Sequence, residues 1–141
     1  MLRAGFMTSP TTARAPGKIL VIDDDKSARL LLERVLTRAG HTVKLVDSGE
    51  QGLDLLSKET FDLIITDKNL PGMDGLEVLR LARTRHPRLQ AVVITGFPTP
   101  ETKTSASDLG VFSYVTKPFG ILDILGTCDG AIKASRGDPA A

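Results

Sequence analysis

Five short apolar runs, each followed by a stretch with helical spacing, constrain this chain more than any other feature. "KILVID" (residues 18–23), "HTVKLV" (41–46), "FDLIIT" (61–66), "LQAVVIT" (89–95) and "VFSYVT" (111–116) are rich in β-branched residues and have strand length. After the first run, Ala28, Leu32, Val35, Leu36 and Ala39 recur at helical intervals, and Gly40 sits where a helix would stop. Ser48 with Gln51 reads as a capping box for a second helix. Asp74 with Glu77 is a looser carboxylate version for a third, which Pro87 ends. A fourth helix starts near Pro100, and a fifth spans about residues 119–133 with Ile121, Ile124, Leu125, Cys128 and Ile132 on one side.

Strict alternation of this kind builds a parallel sheet with helices on both faces, because parallel neighbours need crossovers and crossovers are right-handed. The expected fold is α/β, a doubly wound five-stranded parallel sheet in the flavodoxin-like order 2-1-3-4-5. Ligands in such sheets sit at the carboxyl ends of the strands beside the switch point, here strands one and three.

At 141 residues and 41% hydrophobic content the chain supplies one core, placed at residues 18–134. A net charge of +1 with both signs interspersed gives no basic field of the kind that holds nucleic acid or an anionic membrane. One cysteine, Cys128, excludes an internal disulfide; it reads as core, and the chemistry fits a reducing cytoplasm. His41 and His86 read as solvent-facing at helix ends and not as metal ligands. Residues 1–17 and 135–141, small, polar and Pro-containing, read as a disordered N-terminal tail and a C-terminal tail.

The switch-point strands end in carboxylates: Asp23 and Asp24 after the first, Asp67 after the third. Crowded carboxylates repel, so the pocket needs a cation, and all-oxygen ligation suits Mg²⁺. A carboxylate can also attack phosphorus to give an aspartyl phosphate, which then needs a hydroxyl and a fixed positive charge beside its oxygens. Thr95 ends the fourth strand and Lys117 follows the fifth.

"ILVIDDD", "IITDKNLPGMDG", "VVITG" and "YVTKPF", in this order and spacing, resemble the receiver domain of bacterial two-component response regulators, over about residues 18–133. The resemblance implies that Asp67 is the phosphoacceptor, with a phosphohistidine on a sensor histidine kinase as donor. It also implies that Asp23, Asp24, Asp67 and the Asn69 backbone carbonyl hold Mg²⁺, and that Thr95 and Lys117 bind phosphoryl oxygens. The bond from Lys117 to Pro118 would be cis, and Tyr114 would be the switch aromatic that turns inward as Thr95 moves. Such a domain catalyses only its own phosphorylation and dephosphorylation. Its output would be a protein effector or a phosphotransfer partner, with a phosphorylation-dependent dimer through the helix 4, strand 5 and helix 5 face as an option. With no DNA-binding helix pair in the sequence, the reading is of a stand-alone, chemotaxis-regulator-like receiver.

Other readings of the same residues exist. Asp25 reads as an N-cap of the first helix, whereas in a haloacid-dehalogenase-like phosphatase Asp23 would be nucleophile and Asp25 the acid/base. A phosphorylation-independent pseudo-receiver is the third option; the complete acidic, Thr and Lys set argues against it. Pro71, Gly72 and Gly75 read as turn formers. The fourth helix, "PETKTSASDLG", has Ala106 and Leu109 as its main apolar residues and is expected to be mobile. Gly120, Gly126 and Gly130 would weaken the fifth. Phe97 is expected to shield the site from water and lengthen the life of a phosphoryl group.

Overall fold

The computed structural model describes residues 16–137. Both sequence tails extend beyond that range: residues 1–15 and 138–141 lie outside the described residues. The order along the chain is β1 (Lys18–Ile22), α1 (Lys26–Arg38), β2 (Thr42–Val46), α2 (Gly49–Lys58), β3 (Leu63–Asp67), α3 (Gly75–Arg85), β4 (Gln90–Thr95), α4 (Pro100–Asp108), β5 (Ser113–Thr116) and α5 (Ile121–Ser135). The strands form one parallel sheet in the order β2-β1-β3-β4-β5, the doubly wound arrangement expected from the alternation.

Alternate residues of the central strands feed two cores. Ile19, Val21, Leu63, Ile65, Val92 and Ile94 pack against Leu32 and Leu36 of α1 and Ile124, Cys128 and Ile132 of α5. Leu20, Ile22, Ile64, Ala91 and Val93 face Leu56 of α2 and Val78, Leu79 and Ala82 of α3. Every residue of β3 is buried, which explains why that run reads as continuously apolar and not as an alternating strand. Each buried Leu, Ile or Val contributes about 1.5–3 kcal/mol, so the sheet is a rigid base for whatever its strand ends carry.

The helix ends follow the local chemistry. Asp25 caps α1 by accepting from the Ser27 N–H at 3.1 Å, and Gly40 past its end has φ 108°, a left-handed conformation that suits glycine. Ser48 accepts from Gln51 N–H at 3.2 Å, but Gln51 Oε1 returns to Asp47 N–H at 3.3 Å, one residue earlier than a strict capping box. Asp74 caps α3 through Leu76 N–H at 2.7 Å, while Glu77 turns away to pair with Arg80. The fourth helix carries the full reciprocal box, Thr99 with Thr102, which the sequence reading did not anticipate because threonine stood where glutamate or glutamine is usual. Ile121 is 46% exposed, so it does not belong to the buried side of α5.

Both histidines depart from the solvent-facing expectation. His41 is 4% exposed, and its Nδ1 accepts from Gly17 N–H at 3.0 Å, because the start of β2 pairs with the start of β1 and brings the residue before Thr42 beside the residue before Lys18. His86 is half-buried with its ring nitrogen 2.9 Å from the Leu56 carbonyl. Cys128 is fully buried as expected, and burial next to Asp129 pushes its thiol up to about 12. Among the described residues no helix is long and apolar enough to cross a membrane.

Candidate functional site

Two neighbouring strands deliver three carboxylates to one place. Asp67 ends β3, and Asp23 and Asp24 follow β1, its neighbour in the sheet. One carboxylate oxygen of each lies within 4.8 Å of the others. Asp23 is 1% exposed and Asp67 7%, whereas Asp24 is open to solvent. Burying carboxylates together demands a positive partner, and Lys117 from the end of β5 supplies it. Its Nζ lies 2.7 Å from Asp67 Oδ2 and 3.1 Å from Asp23 Oδ2.

The two contacts differ in quality. The Asp67 contact is a hydrogen bond, but the Asp23 contact is an ion pair without hydrogen-bond alignment, so Asp23 Oδ2 is a buried acceptor lacking a donor. Asp23 Oδ1, by contrast, accepts from Asp25 N–H at 2.9 Å. Burial raises the Asp23 carboxyl above the usual carboxylate range; the Asp25 N–H and Lys117 act the other way, and the Asp67 charge adds to the rise. For Lys117 burial acts to lower the ammonium, yet the two carboxylates outweigh it and hold the group above its ordinary value.

The remaining residues are held by backbone. Asn69 N–H donates to Asp67 Oδ1 at 2.9 Å. The Thr95 hydroxyl donates to Asn69 Oδ1 at 3.1 Å and accepts from Phe97 N–H at 3.0 Å. The loop after Asp67 folds back because Gly75 N–H donates to the Lys68 carbonyl at 2.9 Å and Lys68 pairs with Asp74 at 2.7 Å. Gly75 is the first residue of α3 and not a turn former: a Cβ there would lie 2.2 Å from the Asp67 carbonyl oxygen. Gly72, with φ 80°, does turn the loop. The bond from Lys117 to Pro118 is cis.

Asp23, Asp24, Asp67, Asn69, Thr95 and Lys117 thus converge as their strand ends suggested. Tyr114 is elsewhere: half-buried on β5 and packed on the α2 and α3 core, with its hydroxyl 2.7 Å from Thr102 Oγ1. Phe97 is 78% exposed, so in this arrangement its ring does not shield the site. Sequence reasoning missed Arg29, whose guanidinium donates to the Asp23 carbonyl at 2.8 Å, and Thr102. Arg29 falls one helical turn after Asp25, the only sequence signal that pointed toward it.

The donor set fits a hard divalent cation. Three carboxylates meet, one contributing a buried oxygen without a hydrogen-bond donor, and no nitrogen or sulfur ligand is among them. Asp25, the acid/base of the phosphatase alternative, is instead occupied as the α1 cap.

A fold and a site of this kind define a phosphoacceptor signalling module. Residues 19–128 match the family model "Response regulator receiver domain", and the chain belongs to that family. It is 39% identical over 112 residues to the DNA-binding transcriptional regulator NtrC of Klebsiella pneumoniae, a match covering 79% of this chain and 24% of that protein. It is 32% identical over 107 residues to sporulation initiation phosphotransferase F of Bacillus subtilis, covering 76% of this chain and 86% of the relative. A CheY-like receiver domain structure from Methanospirillum hungatei JF-1 superposes with a TM-score of 0.83 at 25% identity, covering 87% of this chain and 98% of the other. The chain spans about a quarter of the length of the NtrC relatives, 24% and 25% in two of them. The protein is therefore a receiver domain of the two-component response regulator type, and the phosphatase and pseudo-receiver alternatives are not favoured.

Proposed function

We propose that Asp67 is the residue of this receiver that accepts a phosphoryl group, taken from the phosphohistidine of a sensor histidine kinase. The observation that carries the reading is the Lys117 ammonium set between two buried carboxylates, 2.7 Å from Asp67 and 3.1 Å from Asp23. In the transfer an Asp67 oxygen forms the new P–O bond as the P–N bond to the donor imidazole breaks. Lys117 loses its carboxylate partner on Asp67 as that oxygen esterifies, and its charge then falls on the phosphoryl oxygens. Asn69 N–H keeps the carboxylate oriented. Thr95 exchanges its bond to Asn69 Oδ1 for a phosphoryl oxygen, which moves the end of β4.

Asp23, Asp24, Asp67 and the Asn69 backbone carbonyl are the residues that would hold Mg²⁺, which when bound neutralises developing charge on the phosphoryl oxygens. The consequence for signalling is a population shift: contacts to the phosphoryl group favour one arrangement of the Thr95 and Tyr114 surface, and a protein partner reads it. Onward phosphotransfer is the second form of output, supported by the 32% identity over 107 residues to sporulation initiation phosphotransferase F. We place the module in the cytoplasm with its kinase.

Intact-protein mass spectrometry after incubation with acetyl phosphate and Mg²⁺ tests the reading. The expected result is a single acid-stable, base-labile phosphoryl adduct on wild type, absent without Mg²⁺ and absent from Asp67→Asn. Phosphate release that depends on Asp23 without an adduct on Asp67 would overturn it in favour of a phosphatase.

A further inference from the structure

Asp23 brings to the acidic site a buried carboxylate oxygen that no donor meets, and every other polar atom of that residue is already engaged. Its N–H donates to the Val46 carbonyl at 3.2 Å, and its Oδ1 accepts from Asp25 N–H at 2.9 Å. Its carbonyl oxygen accepts from Arg29 Nη1 at 2.8 Å. Oδ2 is left over, 3.1 Å from Lys117 Nζ. The direction of Oδ2 is thus set by a strand partner, by the next turn of chain and by one side chain of α1.

Arg29 is the fourth residue of α1. Helical side chains lean toward the N-terminus of their own helix, so a long one in the first turn reaches back over the residues that precede it. Those residues are Asp23, Asp24 and Asp25, yet Arg29 forms no ion pair among the described residues; its half-buried guanidinium goes to a carbonyl. A cation in the first turn opposes the positive end of the helix macrodipole, and beyond the Asp25 cap α1 has no acidic residue there to offset it. Helix stability alone therefore argues against arginine at this place. The bond it makes explains more. The accepting carbonyl belongs to the planar peptide that joins Asp23 to Asp24, so holding it fixes the backbone that carries two of the three clustered carboxylates.

We propose that Arg29 is a positioning residue for the divalent cation site, holding the peptide between Asp23 and Asp24 so that both carboxylates meet Asp67. The proposal rests on the reading of these carboxylates as Mg²⁺ ligands. Groups that stand behind metal ligands fix affinity by keeping the ligands from turning away, and their loss costs about 10–100-fold in binding. Taking away the guanidinium also takes away a positive charge near a cation site, which on its own tightens binding. The two effects have opposite signs, so the direction of the change separates positioning from charge.

Titration of the whole folded chain with Mg²⁺, followed by amide NMR, tests this in wild type, Arg29→Met, Arg29→Gln and Lys26→Met. Both Arg29 variants should need about tenfold more Mg²⁺ than wild type. Lys26 is an exposed cation of the same turn with no hydrogen bond to Asp23, and Lys26→Met should need no more Mg²⁺ than wild type. Asp25 N–H reports the bond to Asp23 Oδ1, and its hydrogen exchange in chelator should rise about three- to tenfold in both Arg29 variants, the effect of one hydrogen bond. With acetyl phosphate, the Mg²⁺ concentration for half-maximal phosphorylation should rise about tenfold, while the rate at saturating Mg²⁺ stays within about twofold. Both titrations report the folded chain, so a loss of stability alone moves neither. Unchanged or tighter Mg²⁺ binding in the Arg29 variants, or unchanged Asp25 exchange, would overturn the proposal. A wild type whose Asp23, Asp24 and Asp67 amides ignore Mg²⁺ would instead overturn the metal reading, and Asp25 exchange would still decide whether Arg29 holds the turn.

Discussion

Replacing Lys117 by Met separates the two jobs that its ammonium does. In the folded protein that ammonium is the cation shared by Asp67 and the 1%-exposed Asp23. Removing one member of a buried ion pair costs about 3–5 kcal/mol, because the remaining charge is left unpaired in a poor dielectric. The Lys117 side chain is 23% exposed, and Asp24 opens the pocket to water. Screening at that exposure brings the expected loss to about 2–3 kcal/mol, a fall of roughly 1–2 M in urea midpoint for a domain of this size. Divalent cation binding should move in the opposite sense. Two unit charges about 4 Å apart repel by about 4 kcal/mol at an effective dielectric of about 20, and a doubly charged ion sharing carboxylates with an ammonium feels more. If solvent screens most of that, about 1.4 kcal/mol survives, so Lys117→Met should bind Mg²⁺ about tenfold more tightly. Urea unfolding in chelator and in saturating Mg²⁺ measures both: a large loss of stability without metal, about half of it recovered with metal. A loss under about 0.5 kcal/mol, or weaker Mg²⁺ binding, would refute the assignment of the shared carboxylate oxygens to lysine and metal alike.

Gly75→Ala would place a methyl 2.2 Å from the Asp67 carbonyl oxygen, so the loop must shift; expected are a loss of about 2 kcal/mol or more in urea unfolding and a matching fall in phosphorylation rate with acetyl phosphate. On α5, Gly126 meets nothing within 4 Å of a new Cβ, and Gly126→Ala should stabilise by about 0.5–1 kcal/mol. Gly130→Ala would meet the Phe112 ring at 2.9 Å and should show none of that gain in the same measurement. His41 offers a pH test. Burial lowers its pKa below the ordinary 6.5, Arg136 acting the same way against the raising charges of Asp129 and Asp62. The unfolded chain then binds the proton more tightly, so stability falls as pH drops below about 6.5 and levels off under the folded value. In His41→Gln that slope should be absent from unfolding midpoints measured across pH 5 to 8.

What the sequence disclosed and what it concealed divide along a physical line. Strand runs, the parallel order and the convergence of Asp23, Asp24, Asp67, Thr95 and Lys117 were legible because each residue sits within one or two positions of a strand end, where topology alone fixes its place. Asn69 and its N–H bond to Asp67 belong to the same short reach of chain. Contacts that join two elements through the tip of a long or rotatable side chain were not legible. His41 reads as a polar residue after a helix, and nothing in its spacing discloses the Gly17 N–H that its buried ring accepts from across the chain. Phe97 is adjacent to the site in sequence, yet nothing in its spacing tells which way a loop ring points, and it points to solvent. Thr102 is one of several hydroxyl residues in a weak helix, distinguished only by the phenol that meets it from twelve positions away. The poor core anchoring of α4 was legible, since Ala106 is its one buried residue; the polar ties that compensate for it were not. Ties of this kind have a net worth of about 1 kcal/mol each, too little for any one of them to impose a sequence pattern as a buried strand does.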